Sequence, residues 1–115
     1  MQRGQIYTLP PDEDGKERPV VIVSRDNLNA GHSVLAIPFT SQQLDKRGKQ
    51  PWCAPFRAGE GGLSKDCVAR CDQITLFRKA DINTSKPPLG RLTAAQMQRI
   101  VDAVRHAIRD DTLHV

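Results

Sequence analysis

A chain of 115 residues that is 38% hydrophobic and 4% aromatic can build one modest core from Val, Ile, Leu and Ala, and not two. Lys and Arg number 17 against 13 Asp and Glu, a net charge of +4, which permits a polyanionic partner without requiring one. No stretch nears the roughly 20 apolar residues of a membrane helix, no signal-peptide core opens the chain, and three cysteines are an odd number for a closed disulfide framework; the reading is one domain over residues 1–115 of a reduced, cytoplasmic protein.

The segment RGQIYTLP alternates Gln5, Tyr7 and Leu9 with Ile6 and Thr8, a short strand started by Gly4 and stopped by Pro10-Pro11. PDEDGKE is acidic and Pro-led, a solvated loop. RPVVIVS follows as a strand apolar on both faces, as expected of a central strand. RDNLNAGHS reads as a turn, and VLAIPFTS as a second apolar strand in which Pro38 marks an edge, a bulge or a departure point. QQLDKRGKQP is a polar loop made basic by Lys46, Arg47 and Lys49. WCAPFRAG is a short broken strand, EGGLSKD a turn, CVARCDQITLF one alternating strand, and RKADINTSKPPLGR a loop.

The last segment changes period. LTAAQMQRIVDAVRHAIRDD places Met97, Ile100, Val101, Val104 and Ile108 on one helical stripe, with Arg99, Arg105 and Arg109 off it. Thr93 and Gln96 have the spacing of a capping box, and Leu92 with Met97 that of a hydrophobic staple. About five short strands and one C-terminal amphipathic helix point to a mainly β fold, a small, strongly bent sheet or barrel with the helix packed on it.

Several catalytic templates are missing. There is no Gly-x-Ser-x-Gly, no phosphate-cradling Gly-rich loop before a helix and no His-Glu-x-x-His. Cys67 and Cys71, four apart on a predicted strand, share a face and read as small core fillers, as does Cys53; no metal site is expected. His32, His106 and His114 show no paired spacing. Arg18 stands at the mouth of the central strand, where Pro19 biases it toward an extended backbone and so gives its guanidinium a set direction. That suits a bidentate phosphate contact, and it equally suits a solvent-exposed strand-end charge. Thr40 and Ser41 end the second apolar strand, where hydroxyls can act chemically or cap a turn.

RGQIY, RPVVIVSRD, AIPFTS, EGGLSKDCVARCDQI and LGRLTAAQMQRIVDAVRHAI, in this order from Arg3 to about Ile108, together resemble the MazF/PemK (Kid) toxins of bacterial toxin–antitoxin systems. The specific pieces are Asp-x-Val-x-x-Cys-Asp-Gln-Ile and Leu-Gly-Arg-Leu. The resemblance implies an SH3-like barrel of about five to seven short strands with a C-terminal helix, acting as a homodimer. It implies a sequence-specific endoribonuclease that needs no metal or other cofactor, cuts single-stranded RNA, typically mRNA, and is covered by a cognate antitoxin. The family's catalytic Arg and Thr match Arg18 and Thr40, and its acidic loop residue matches Glu17, in a loop shorter than in many members. RNA contacts are expected of Lys16, Ser41, Lys46, Arg47, Lys49, Trp52 and Gln73, with Trp52 either stacking on a base or packing in the core.

Such cleavage uses the substrate's own 2′-hydroxyl as nucleophile and leaves a 2′,3′-cyclic phosphate and a 5′-hydroxyl. Arg18 would meet the phosphoryl charge and Thr40 would donate to the phosphate or position the 2′-hydroxyl. Glu17, if within hydrogen-bond reach, would be a better base than an arginine whose pKa lies above about 12, and the general base stays unassigned. The competing readings are a non-catalytic SH3-like binding module and a gyrase-poisoning toxin of the CcdB type; the latter relies on its extreme C-terminus, which DDTLHV does not resemble.

Overall fold

A computed structural model describes residues 1–109. His114 and the DDTLHV segment lie outside the described residues. The chain forms β1 (Gln5–Thr8), β2 (Pro19–Ile22), β3 (Ser33–Thr40), α1 (Leu44–Arg47), β4 (Cys53–Phe56), β5 (Cys67–Arg70), β6 (Thr75–Arg78), β7 (Gly90–Arg91) and α2 (Ala94–Ile108). Single 3-10 turns lie at Glu60–Gly62, Cys71–Gln73 and Lys79–Asp81.

All strand pairs are antiparallel, in the order β4-β5-β3-β2-β1-β7 with β6 also on β3. The eight residues of β3 make it the longest strand and the hub of the sheet. On one side it pairs with β2 through Val20↔Pro38, Val21↔Ile37 and Ile22↔Ala36. On the other it pairs first with β6, through Ser33 to Ala36, and then with β5, through Phe39 and Thr40.

The change of partner has a cause in Pro38. Leu35 turns its N–H to Ser24 Oγ (3.0 Å) and its C=O to the Val23 N–H (2.9 Å), both on the β2 side. By strand alternation, Pro38 turns its backbone nitrogen the other way, where it has no hydrogen to offer. The partner chain leaves the ladder there: Ala36 pairs with Thr75 and Phe39 with Ala69, and the residues Cys71–Gln73 coil out between. The single strand expected over CVARCDQITLF is therefore two strands. Two expected loops also carry structure, α1 within 42–51 and β7 within 78–91.

Both faces of β2 are buried. Val21 joins the larger core, with Ile37, Phe39, Phe56 and the apolar face of α2, while Val20 and Ile22 face a second cluster with Val34, Ala36 and Ile82. The helix begins as its sequence suggested: Gln96 N–H donates to Thr93 Oγ1 (3.2 Å) and Thr93 N–H donates to Gln96 Oε1 (2.8 Å). Its buried stripe is Met97, Ile100 and Ala103, with Val104 packed against it. The stripe is rotated toward Ala103, so Val101 is half-buried, and Ile108, expected in the core, is 71% exposed in the last turn.

The turn at Glu60–Gly62 lies against β7. Gly62 has φ +82° and Gly90 packs on the backbone of Gly61, so a Cβ at either position would collide with main chain. This contact places the following residues, Leu63 to Lys65, on one wall of the cleft described below. The three cysteines are free and buried. Burial pushes the Cys67 thiol up to about 11 and the Cys71 thiol up to about 12.

Two outcomes follow from this packing. Val101→Pro, inside α2, should cost about 3 kcal/mol or more by urea denaturation, since it removes a helical hydrogen bond and clashes with the preceding turn; an unchanged midpoint rejects the helix. Cys67 and Cys71 should resist iodoacetamide in native protein at pH 8 and react once it is unfolded, because thiols with raised pKa values hold little thiolate; rapid native labelling rejects their burial.

Candidate active site

The strands β2 and β3 part company where β3 turns toward β5. Continued two residues beyond Val20↔Pro38, their ladder would set Arg18 opposite Thr40. Instead the strands splay, and the gap opens into a cleft of about 380 Å³ lined on its two rims by Lys16, Glu17 and Arg18 and by Thr40, Ser41 and Gln42. Leu63, Ser64, Lys65 and Cys67 form a further wall, and Thr8, Pro19, Phe39 and Leu89 complete it. Arg18 and Thr40, 22 positions apart in the sequence, thus face one space.

The Arg18 rim is built by its own loop. The Arg18 carbonyl accepts the Leu9 N–H (2.9 Å), which holds the backbone at the end of the β1–β2 ladder. Its guanidinium Nε lies 3.4 Å from Asp12 Oδ2, with 45% of the Arg18 side chain exposed. Asp12 also organises the turn, accepting the N–H groups of Asp14 (2.9 Å) and Lys16 (3.0 Å). The Lys16 N–H, seconded by that of Asp14 and by the Arg18 charge, holds the Asp12 carboxyl below its ordinary value of 3.8. Beside it, Glu17 is gripped at both oxygens by Lys86 Nζ, at 3.2 and 3.3 Å.

The opposite rim is equally specific. Thr40 Oγ1 accepts the Gln42 N–H (3.2 Å) and Arg47 Nη1 (3.3 Å). Arg47, expected to reach outward to RNA, instead folds back on the strand end. Lys46 and Lys49 are exposed around α1 and do not line the cleft. Trp52 is half-buried and belongs to neither core cluster nor the cleft; its carbonyl accepts the Cys71 N–H (3.1 Å). Gln73 is exposed in the Cys71–Gln73 turn, away from the cleft lining.

Sequence reasoning passed over four residues, Ser64, Lys65, Arg70 and Asp72. Ser64 and Lys65 supply a hydroxyl and a cation to the cleft, and the signal was present in EGGLSKD, a Gly-rich turn carrying polar groups. Arg70 and Asp72 form a two-pronged pair, Nη2–Oδ2 at 2.7 Å and Nε–Oδ1 at 3.0 Å, the shortest ion pair among the described residues. The Arg70 contact holds the Asp72 carboxyl below its ordinary value, and the Arg47 charge adds to this. Arg47 itself donates to the Thr40 hydroxyl and the Gln42 carbonyl. Among the described residues no group of three His, Cys, Asp or Glu converges on a metal-sized space, and no helix is long and apolar enough to cross a membrane.

Comparison with known proteins gives a consistent result. The family described as "PemK-like, MazF-like toxin of type II toxin-antitoxin system" matches residues 2–108. Endoribonuclease MazF9 of Mycobacterium tuberculosis is 29% identical, across 91% of this chain and 93% of that protein. A probable endoribonuclease MazF of Mycolicibacterium smegmatis is 32% identical, across 86% of this chain and 88% of that one. Among solved structures, an endoribonuclease in complex with its cognate antitoxin, from a mycobacterial species, superposes with a TM-score of 0.73 over 94% of both chains at 24% identity, a likeness of fold.

The Asp12 geometry makes a titration prediction. A carboxyl with a depressed pKa keeps its contribution above its ordinary value and loses it as pH falls through the lowered one, so the Arg18 tether should persist down to pH 3.8 and release below it. Arg18→Ala should raise the Asp12 midpoint, read by carboxyl 13C NMR, without restoring 3.8, because the backbone N–H of Lys16 is the larger cause. Full restoration would assign the depression to the ion pair instead.

Proposed function

This chain belongs to the PemK-like, MazF-like toxins of type II toxin–antitoxin systems, and on that premise we propose that it is an endoribonuclease that cuts single-stranded RNA, typically mRNA, at particular sequences and is neutralised by a cognate antitoxin. Its similarity to the two MazF endoribonucleases supports the activity, and the antitoxin complex of a protein with this fold supports the partner. The observation that carries the reading to residues is the meeting of Arg18 and Thr40 at one cleft, with the cations Lys16 and Lys65 on its walls. The protein works as a cytoplasmic homodimer.

In this reading the RNA 2′-oxygen bonds to the adjacent phosphorus as its proton passes to Glu17, the P–O5′ bond breaks, and the 5′-oxygen takes up a proton from solvent water. The products are a 2′,3′-cyclic phosphate and a 5′-hydroxyl. The Arg18 fork binds the phosphoryl oxygens as charge builds on them, without itself losing a proton. In the free protein Arg18 is paired with Asp12, but the pair is solvent-exposed and screened by water, so a phosphate can displace the carboxylate. Lys86 orients Glu17. Lys16 and Ser41 flank the scissile phosphate. Lys46 and Lys49 contact the strand beyond the cleft, Gln73 lies along the same path, and the half-buried Trp52 stacks on an unpaired base. The steps require no metal.

The decisive assay is a long single-stranded RNA incubated with the protein in EDTA, with the cut ends mapped. Discrete cuts are expected, and Arg18→Ala and Thr40→Ala should each lower the rate on the order of 100- to 1,000-fold, the usual loss for a preorganised donor to a developing oxyanion. No cuts across several RNAs would favour a binding module. Normal cutting by both variants would remove these residues from the mechanism.

A further inference from the structure

We infer that Arg47 is a positioning residue whose work is to make Thr40 a hydrogen-bond donor, a proposal that rests on the cleavage reading above. A threonine hydroxyl has two lone pairs and one hydrogen. At Thr40 both lone pairs are engaged, one by the Gln42 N–H at 3.2 Å and the other by Arg47 Nη1 at 3.3 Å. The remaining valence is the O–H, and Thr40 lines the cleft. The hydroxyl can therefore donate into that space and has no lone pair left to accept from it. Of the two roles open to Thr40, donating to a phosphoryl oxygen or accepting from the 2′-hydroxyl, only the first is compatible with this arrangement.

Three features suit Arg47 to this work. Its Nη1 donates also to the Gln42 carbonyl (3.5 Å), so one nitrogen clamps both ends of the Thr40–Gln42 turn. The fold-back is set by the chain itself: Gln43 adopts φ +55° to start α1, and the Gly48 N–H closes it on the Leu44 carbonyl at 2.8 Å. An arginine also keeps its proton at any working pH, so the second lone pair stays occupied, and a cation 3.3 Å from a hydroxyl oxygen strengthens its O–H as a donor. Lys46 and Lys49, the other cations of this segment, make no such contact and provide the contrast of ordinary surface charges.

The test is a set of mutant cycles read as kcat and KM on a short RNA. In wild type and in Thr40→Ser, which keeps the hydroxyl, Arg47→Ala should lower kcat roughly tenfold to a hundredfold with KM unchanged, the scale of a misplaced reacting group. In Thr40→Val and Thr40→Ala, which lack the hydroxyl, the same change should alter kcat by less than about twofold. An equal loss in all four backgrounds overturns the proposal. So does a raised KM with the salt slope reduced by about one, the signature of a simple phosphate contact, which is the behaviour expected of Lys46→Ala and Lys49→Ala. A wild type that cuts no RNA defeats the cleavage reading rather than this contact, which NMR then decides. Slowed rotation of the Arg47 guanidinium that is lost in Thr40→Val supports it, and identical Arg47 signals in the two proteins overturn it.

Discussion

One missing hydrogen organises this molecule. Pro38 sits within the strand that more elements pair with than any other, and its nitrogen faces the side on which β6 and β5 approach. A continuous ladder there would bury a carbonyl opposite a group that cannot donate, at a cost of about 1–3 kcal/mol. The chain avoids this by letting Cys71–Gln73 coil out and by sending the end of β3 toward β5. From that bend follow the divergence of β3 from β2, the cleft between their ends, and the concave face that α2 covers with Met97, Ile100 and Ala103.

The cleft is a set of polar contacts of unequal strength. Arg18–Asp12 and Glu17–Lys86 are solvent-exposed pairs, screened by water and weak. They aim side chains more than they stabilise the fold, and a polyanion can replace them at little cost. Arg70–Asp72 is shorter, two-pronged and more enclosed, with only 20% of the Arg70 side chain exposed. The Thr40 rim is held by hydrogen bonds from the Gln42 backbone and Arg47, and the Arg18 rim by an exposed ion pair.

The sequence was most legible where the signal is local. The capping box at Thr93 and Gln96, the burial of Leu92 and Met97 in one core, and the two-faced burial of Val20 to Ile22 each depend on residues a few positions apart, and each appears in the structure. Legibility failed where distant groups decide. CVARCDQITLF alternates as one strand, yet it breaks because of a proline on its neighbour. Ile108 has helical spacing, yet among the described residues it stays 71% exposed. Arg47 reads as a basic loop residue, yet a four-residue helix turns it inward.

The sequence alone therefore determined the mainly β composition of the chain, the single long helix, the thiol character of the cysteines as core fillers and, through an ordered set of motifs, the family. Periodicity and resemblance are properties of residue order, so they survive without coordinates. Only the tertiary structure decided that Arg18 and Thr40 border one cleft, that Ser64 and Lys65 join them, and that Trp52 and Gln73 do not line it. Those facts depend on the splay of two strands about Pro38, and such an angle is set by pairing partners far away in the chain.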